Sequence, residues 1–270
     1  MAARKLTTRS VEKPWGRDTL PALFPNPDGQ RIGEIWFEGP QGQHPPLLVK
    51  YIFTSEKLSV QVHPTDAQAH ARGLAGGKSE CWYILDAEPG ATLGIGLTHS
   101  LSAEHLRTAA EDGTIEGLID WKPVQAGDFF YIGAGTIHAI GGGVTLVEIQ
   151  QNNDVTYRLY DYGRPRELHL DDGVAVGRRD PFVVPHANVP IGATTILVDG
   201  KHGQPFTQAM ATWDAGARLT IDAGPAWFAP LTGAGTLDGQ SWAQGECWLI
   251  DDAAALVVDE KTTALVARAT

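Results

Sequence analysis

Between residues 58 and 64 the chain alternates without a break. Leu58, Val60 and Val62 fall on one face of a strand, and Ser59, Gln61 and His63 fall on the other. The apolar face needs a cover. A row of hydroxyl, carboxamide and imidazole is costly to enclose unless a metal, a polar ligand or water partners each group. Strands are also expected at residues 32–38, at 47–54 with Lys50 inside, and at 80–85, where Glu80, Trp82 and Ile84 share a face. Further strands are expected at 127–132, 144–150 and 155–160.

Thr65 as N-cap and Gln68 three residues on predict a short helix that Gly73 can stop. Leu101, His105, Leu106 and Ala109 have helical spacing before Gly113, and Ile115, Leu118 and Ile119 suggest a second short helix. Residues 98–121 are therefore a small helical insertion. Residues 10–30, with Lys13-Pro14-Trp15-Gly16, Pro21, Pro25, Pro27 and Gly29, read as loop, and Trp15-Gly16 could fold over an opening. A proline-rich linker is expected at 178–190, before a run of short strands over 191–270. Gly245 to Ile250 repeats the pattern of Gly127 to Ile132, but no histidine follows His202. The expectation is a mainly β chain of two units, residues 1–180 and 181–270, with any metal site in the first.

Composition narrows the partners. The chain has 270 residues, 43% apolar and 20% charged, as in ordinary globular proteins, and its 31 glycines and 17 prolines suit a turn-rich β fold. A net charge of -11 argues against nucleic acid or an anionic membrane as partner. An anionic small substrate would need a local basic cluster. Cys81 and Cys247 form no CxxC pair, the first ten residues lack the apolar core of a signal peptide, and no apolar run is long enough to span a bilayer. A cytoplasmic protein is expected.

Gln61, His63, Glu80 and His138 can converge on a divalent ion. Two imidazoles, a carboxylate and an amide oxygen suit zinc or another late first-row metal. Gln61 and His63 lie two apart on one strand face, Glu80 comes from a nearby strand, and glycines before His138 allow a sharp return. This is the layout of a cupin barrel, except that Ala134 stands where proline is common. The other histidines show no partner spacing.

As a set, Ser59-Val60-Gln61-Val62-His63-Pro64, Lys78-Ser79-Glu80, Gly135-Thr136-Ile137-His138-Ala139 and Tyr157-Arg158-Leu159-Tyr160-Asp161 resemble type I mannose-6-phosphate isomerases of the short bacterial form, in the cupin superfamily. The resemblance runs from about Lys13 to Gly173, and more loosely beyond. It implies two cupin-like β-barrel (jelly-roll) halves and one Zn2+ per chain, held by Gln61, His63, Glu80 and His138. It implies conversion of mannose 6-phosphate to fructose 6-phosphate, with Arg158 and Lys78 in the active site and Ser59, Lys50 and Arg164 near the sugar phosphate. Arg164 stands where longer members have lysine, and Ala139-Ile140 where they have tyrosine.

Aldose–ketose isomerisation moves a proton between adjacent carbons through an enediolate. A metal stabilises the developing charge, and a base takes the proton. Lys78 and Glu148 are both candidates for that base, and Arg158 would stabilise the charge. Two alternatives use the same constellation: an iron cupin oxygenase, and a non-catalytic sugar-binding cupin. Gln61 and the cations Lys50, Lys78, Arg158 and Arg164 favour the isomerase.

Overall fold

Leu47–Phe53 is buried along its whole length. Its sequence, Leu-Leu-Val-Lys-Tyr-Ile-Phe, therefore shows no polar face; such a run is what a strand covered on both sides requires. The computed structural model describes residues 2–26, 29–40, 43–181 and 183–270. In it this strand sits inside a seven-stranded antiparallel sheet ordered His186–Asn188, Asp128–Ile132, Glu80–Ala87, Val144–Gln151, Leu47–Phe53, Ile32–Glu38 and Thr7–Arg17. One face, with Val49, Tyr51, Cys81 and Val147, packs on Met210, Trp227 and Leu265 of a six-stranded sheet. The other, with Ile52, Trp82, Ile84 and Leu146, packs on Leu93, Ile95 and Ile140 of a five-stranded sheet.

The outer layers follow the same logic. Beyond the five-stranded sheet, Val60, Val62 and Leu159 are covered by Leu106, Ala110 and Ile115 of the helical insertion and by Val174 of the helix Leu170–Val176. Beyond the six-stranded sheet, Phe228, Trp248 and Ile250 meet Leu237, Trp242 and Leu256 of a four-stranded sheet. Two sheet pairs are thus stacked, mainly β as expected, but none of the sheets closes into a barrel.

The helix start expected at Thr65 is present, and so is the helix expected before Gly113. Thr65 and Gln68 form a reciprocal capping box at Asp66–His70, and Ser102 accepts from the His105 amide at the start of Ala103–Asp112, which ends at left-handed Gly113. Three readings change. Residues 10–17, the start of the expected loop, belong instead to the strand Thr7–Arg17 on the edge of the seven-stranded sheet. There the register with Ile32–Glu38 slips after Val11 and Glu12, so Pro14 sits in an irregular edge where its missing N–H breaks no ladder. Gly33 leaves the room that Trp15 fills: a Cβ there would lie 2.7 Å from the indole. The alternating stretch is a strand only over Val60–Val62, so Leu58 joins the core between the sheets rather than the helix-covered face of Val60 and Val62. The expected linker contributes the edge strand His186–Asn188. Pro27 of the expected loop and Phe182 of the linker lie outside the described residues.

Two strands cross between the halves. Ala3–Lys5 pairs with Trp248–Ile250, and His186–Asn188 pairs with Asp128–Ile132. With the large shared core, they tie the halves together, and the stack is expected to unfold as one unit. Leu265→Ala, at a fully buried position of that core, is expected to cost about 2–5 kcal/mol and to lower a single calorimetric transition. Two separated transitions would show that the sheet pairs unfold independently.

Candidate metal centre

The site lies between the seven- and five-stranded sheets. Glu80 opens its strand on the first, and Gln61 and His138 face each other in register on the second. His63 follows Val60–Val62, and Gly135 at φ +86° turns the chain so that it re-enters the sheet at His138, the Gly135 amide donating to the His63 carbonyl at 2.7 Å. Ala134 N–H donates to Ser79 Oγ at 3.2 Å. Proline could not make that bond, which explains the departure at this position.

His63, Glu80 and His138 are all buried, and their potential ligand atoms lie within 4.8 Å of one another. Each imidazole is oriented from behind. His63 Nδ1 bonds to the Val155 carbonyl at 2.8 Å and His138 Nδ1 to the Thr136 carbonyl at 2.9 Å. Donating there leaves each Nε2 with a lone pair toward the centre. Both Nε2 atoms are 3.4 Å from Glu80, one at each carboxylate oxygen. Neither oxygen makes a well-formed hydrogen bond among the described residues, although Lys78 Nζ is 2.9 Å from one. Buried, electron-rich atoms aimed at one point fit a divalent cation. The Gln61 amide is 3.2 Å from His138 Nε2, so it borders the same point.

The electrostatics agree. Burial foremost, then Lys78, holds the His63 imidazole down to about 3, and burial also lowers His138. Burial would raise the Glu80 carboxyl, but Lys78, His63 and His138 outweigh it and hold it well below the ordinary carboxylate range. The triad thus presents two neutral imidazoles and a carboxylate, the protonation state that metal binding needs.

The triad adjoins a cavity of about 170 Å³. Ser59, Gln61, Lys78, Lys50, Glu148 and Arg158 all line it. Lys50 is buried and pairs with Glu148 Oε1 at 2.9 Å, opposite it in register; Trp82 Nε1 donates to Glu148 Oε2 at 3.0 Å. Burial would lower the Lys50 ammonium, yet Glu148 and Glu34 hold it above its ordinary value. Arg158, opposite Gln61 in register, donates from Nη1 to the Glu167 carbonyl at 2.7 Å. Arg164 is not brought to the cavity: it turns to Asp161 and Glu56, at 3.1 and 3.0 Å.

Several cavity or supporting residues were missed. Arg166 lines the cavity, as do Lys13 and Glu34, which pair at 3.5 Å. Trp82 packs edge-on to His138, with centroids 5.4 Å apart. The face it shares with Glu80 was the available signal for Trp82; the others had none. His169, read as surface or structural, accepts from the Arg158 amide at 3.2 Å.

No family model matches the chain. The mannose-6-phosphate isomerase ManA of Bacillus subtilis is 42% identical over 189 residues, covering 63% of this chain and 59% of that protein. The chain spans about half the length of the curated relatives it matches. The crystal structure of the mannose 6-phosphate isomerase from Bacillus subtilis is 26% identical, with a TM-score of 0.74 and 99% of each chain covered. A zinc-bound mannose 6-phosphate isomerase structure has the same fold, at 16% identity, TM-score 0.72 and 100% of each chain. The motif resemblance is thus met in sequence and in structure: curated homologues carry the mannose-6-phosphate isomerase name, and the fold is theirs. Among the described residues no helix is long and apolar enough to cross a membrane.

Two outcomes are expected. Glu80→Gln should cost more in Zn2+ affinity by calorimetric titration than the ~10–100-fold that loss of an outer partner costs; unchanged affinity would show that the triad is not the site. The second concerns the metal-free protein. His63 takes a proton near pH 6.5 when unfolded but only near 3 when folded, so stability is full above that window and falls as pH drops through it. Chelator-treated protein should lose melting temperature from pH 7 to 4.5, more steeply than His63→Asn, and equal slopes would refute the assignment.

Proposed function

We propose that this chain is a zinc-dependent isomerase interconverting mannose 6-phosphate and fructose 6-phosphate, with one ion per chain held by Gln61, His63, Glu80 and His138. The observation that carries the reading is the buried triad lying behind Gln61 and Lys78 of a cation-lined cavity in a chain of net charge -11. Five cations line that cavity, Lys13, Lys50, Lys78, Arg158 and Arg166, against three carboxylates, Glu34, Glu148 and Asp154. The substrate is then a small anionic sugar. An oxygenase would have no use for this surplus.

A bound zinc would supply Lewis acidity to the sugar's carbonyl and hydroxyl oxygens. Glu148 is the proton carrier we favour. Lys50 and Trp82 each fix one of its oxygens, which leaves lone pairs free toward the cavity. Lys78 is drawn instead to Glu80, with Nζ 2.9 Å from Oε2, so its role is to hold that carboxylate and oppose negative charge beside it. Arg158 keeps its charge and faces the sugar's oxygens. Ser59, whose hydroxyl donates to Gln61 Oε1 at 3.2 Å, orients the amide and offers its own oxygen to the substrate, with Lys50 behind.

We assign the catalytic unit to residues 1–180 and a second, metal-free β unit to 181–270, joined by the crossing strands. A cytoplasmic location fits the two buried, unpaired cysteines.

A coupled fructose-6-phosphate assay tests the reading. Activity on mannose 6-phosphate should vanish with chelator and return with zinc. Glu148→Gln should lower kcat by about 10²–10⁴-fold, and Lys78→Met should weaken metal retention as well as kcat. Metal-dependent oxygen uptake without isomerisation would support the oxygenase. A Glu148→Gln enzyme with near-normal kcat would remove that residue as the base.

A further inference from the structure

Beside the level of the seven-stranded sheet that carries Glu148 lies another. Gln150 is two residues on along Val144–Gln151, so it shares the face of Glu148, with Glu80 opposite it on one neighbouring strand and Leu48 on the other. Gln150 lines the cavity and is buried. Its amide can point only one way. Nε2 donates to the Gln151 carbonyl at 2.8 Å and reaches the Asn153 carbonyl at 3.5 Å. Those oxygens only accept, so the nitrogen must face them. Oε1 is left buried with no hydrogen-bond partner among the described residues, which is costly for an acceptor. Its neighbours do not relieve it. The Leu48 side chain has no donor, the Glu80 carboxylate only accepts, and Lys78 Nζ goes to Glu80 at 2.9 Å.

A sugar brings hydroxyl donors, and the cavity's cations cannot accept from them. Other acceptors there are already engaged: Glu34 with Lys13 and Trp36, Glu148 with Lys50 and Trp82, and Gln61 Oε1 with Ser59. We infer that Gln150 is a specificity-determining residue, whose amide oxygen accepts from the sugar's 3-hydroxyl and so selects sugars that carry it. The inference rests on the isomerase reading for the identity of the sugar. Gln150 stands beside the metal carboxylate Glu80 and one level from Glu148, so the hydroxyl it meets is the one next to the reacting carbons. The reaction leaves that hydroxyl unchanged, and the contact holds aldose and ketose alike.

The test measures kcat/KM of wild type and Gln150→Met on mannose 6-phosphate and on its 3-deoxy and 4-deoxy analogues. Methionine keeps the side-chain length and removes the acceptor. Wild type should lose roughly 10–100-fold on the 3-deoxy sugar, mostly in KM. In Gln150→Met the parent and 3-deoxy sugars should differ by less than about threefold, while the ratio of parent to 4-deoxy sugar stays as in wild type. A purely structural role, acting through the turn at Gln151 and Asn153, would slow all three sugars alike and leave the 3-deoxy ratio at its wild-type value; that result overturns the inference. So does a wild type that does not distinguish the 3-deoxy sugar. If Gln150→Met fails to fold, Gln150→Asn, which draws the oxygen back, is read for the same ratio. A wild type that binds these sugars without turnover would sink the isomerase reading alone. Dissociation constants from calorimetric titration then give the same ratios, and equal values for the parent and 3-deoxy sugars reject the role of Gln150.

Discussion

A carboxylate buried to 1% exposure, Glu80, sets the terms for the interior. Removing such a charge from water costs several kcal/mol unless it is paired. Lys78 and two imidazoles surround it, but none saturates its oxygens. Its oxygens thus keep acceptor capacity toward one point shared with the two imidazoles, which suits a divalent cation. Everything around serves that point. The backbone carbonyls of Val155 and Thr136 aim the imidazoles, Gly135 supplies the turn that returns His138, and Trp82 wedges against its ring.

The same need for a partner explains why the seven-stranded sheet carries a polar row through an apolar layer. At one level of register, Trp36, Lys50, Glu148 and Trp82 lie side by side on successive strands. Each polar group has a neighbour of complementary chemistry, so the row is affordable inside a core. Lys50 lies 4.8 Å from the Trp36 ring centroid and also pairs with Glu148. The alternation of the strands confines these groups to the cavity face, while Val49, Tyr51 and Val147 build the core behind. Stability and site are thus the two faces of one sheet.

That sheet needs both its covers. The six-stranded sheet closes the face opposite the cavity and receives Ala3–Lys5 from the far end of the chain. The C-terminal half brings no metal-binding cluster among the described residues; its contribution is to bury the back of the sheet that carries Glu80, Glu148 and Lys50. The helices cover the five-stranded sheet in the same way, behind Val60 and Val62.

Local rules determined much by themselves. Apolar runs and period-two alternation located the strands that carry Lys50, Gln61, Glu80, Glu148 and Arg158, and Thr65 with Gln68 marked a helix start because side-chain oxygens meet free amides there. The spacing of Gln61 and His63, with Glu80 and His138 in their motifs, pointed to a candidate metal centre, since residues two apart on a strand share a face. Tertiary structure decided the rest. Thr7–Arg17 is a strand only because Ile32–Glu38 offers an edge, which its prolines and glycines conceal. Arg164 and Arg166 are two residues apart and chemically alike, so no pattern in the chain could tell which enters the cavity. Asp161 and Glu56 decide it, the latter 108 residues from Arg164 in sequence. Charge partners chosen across such distances belong to the folded arrangement, because Coulomb energy depends on separation in space and not along the chain.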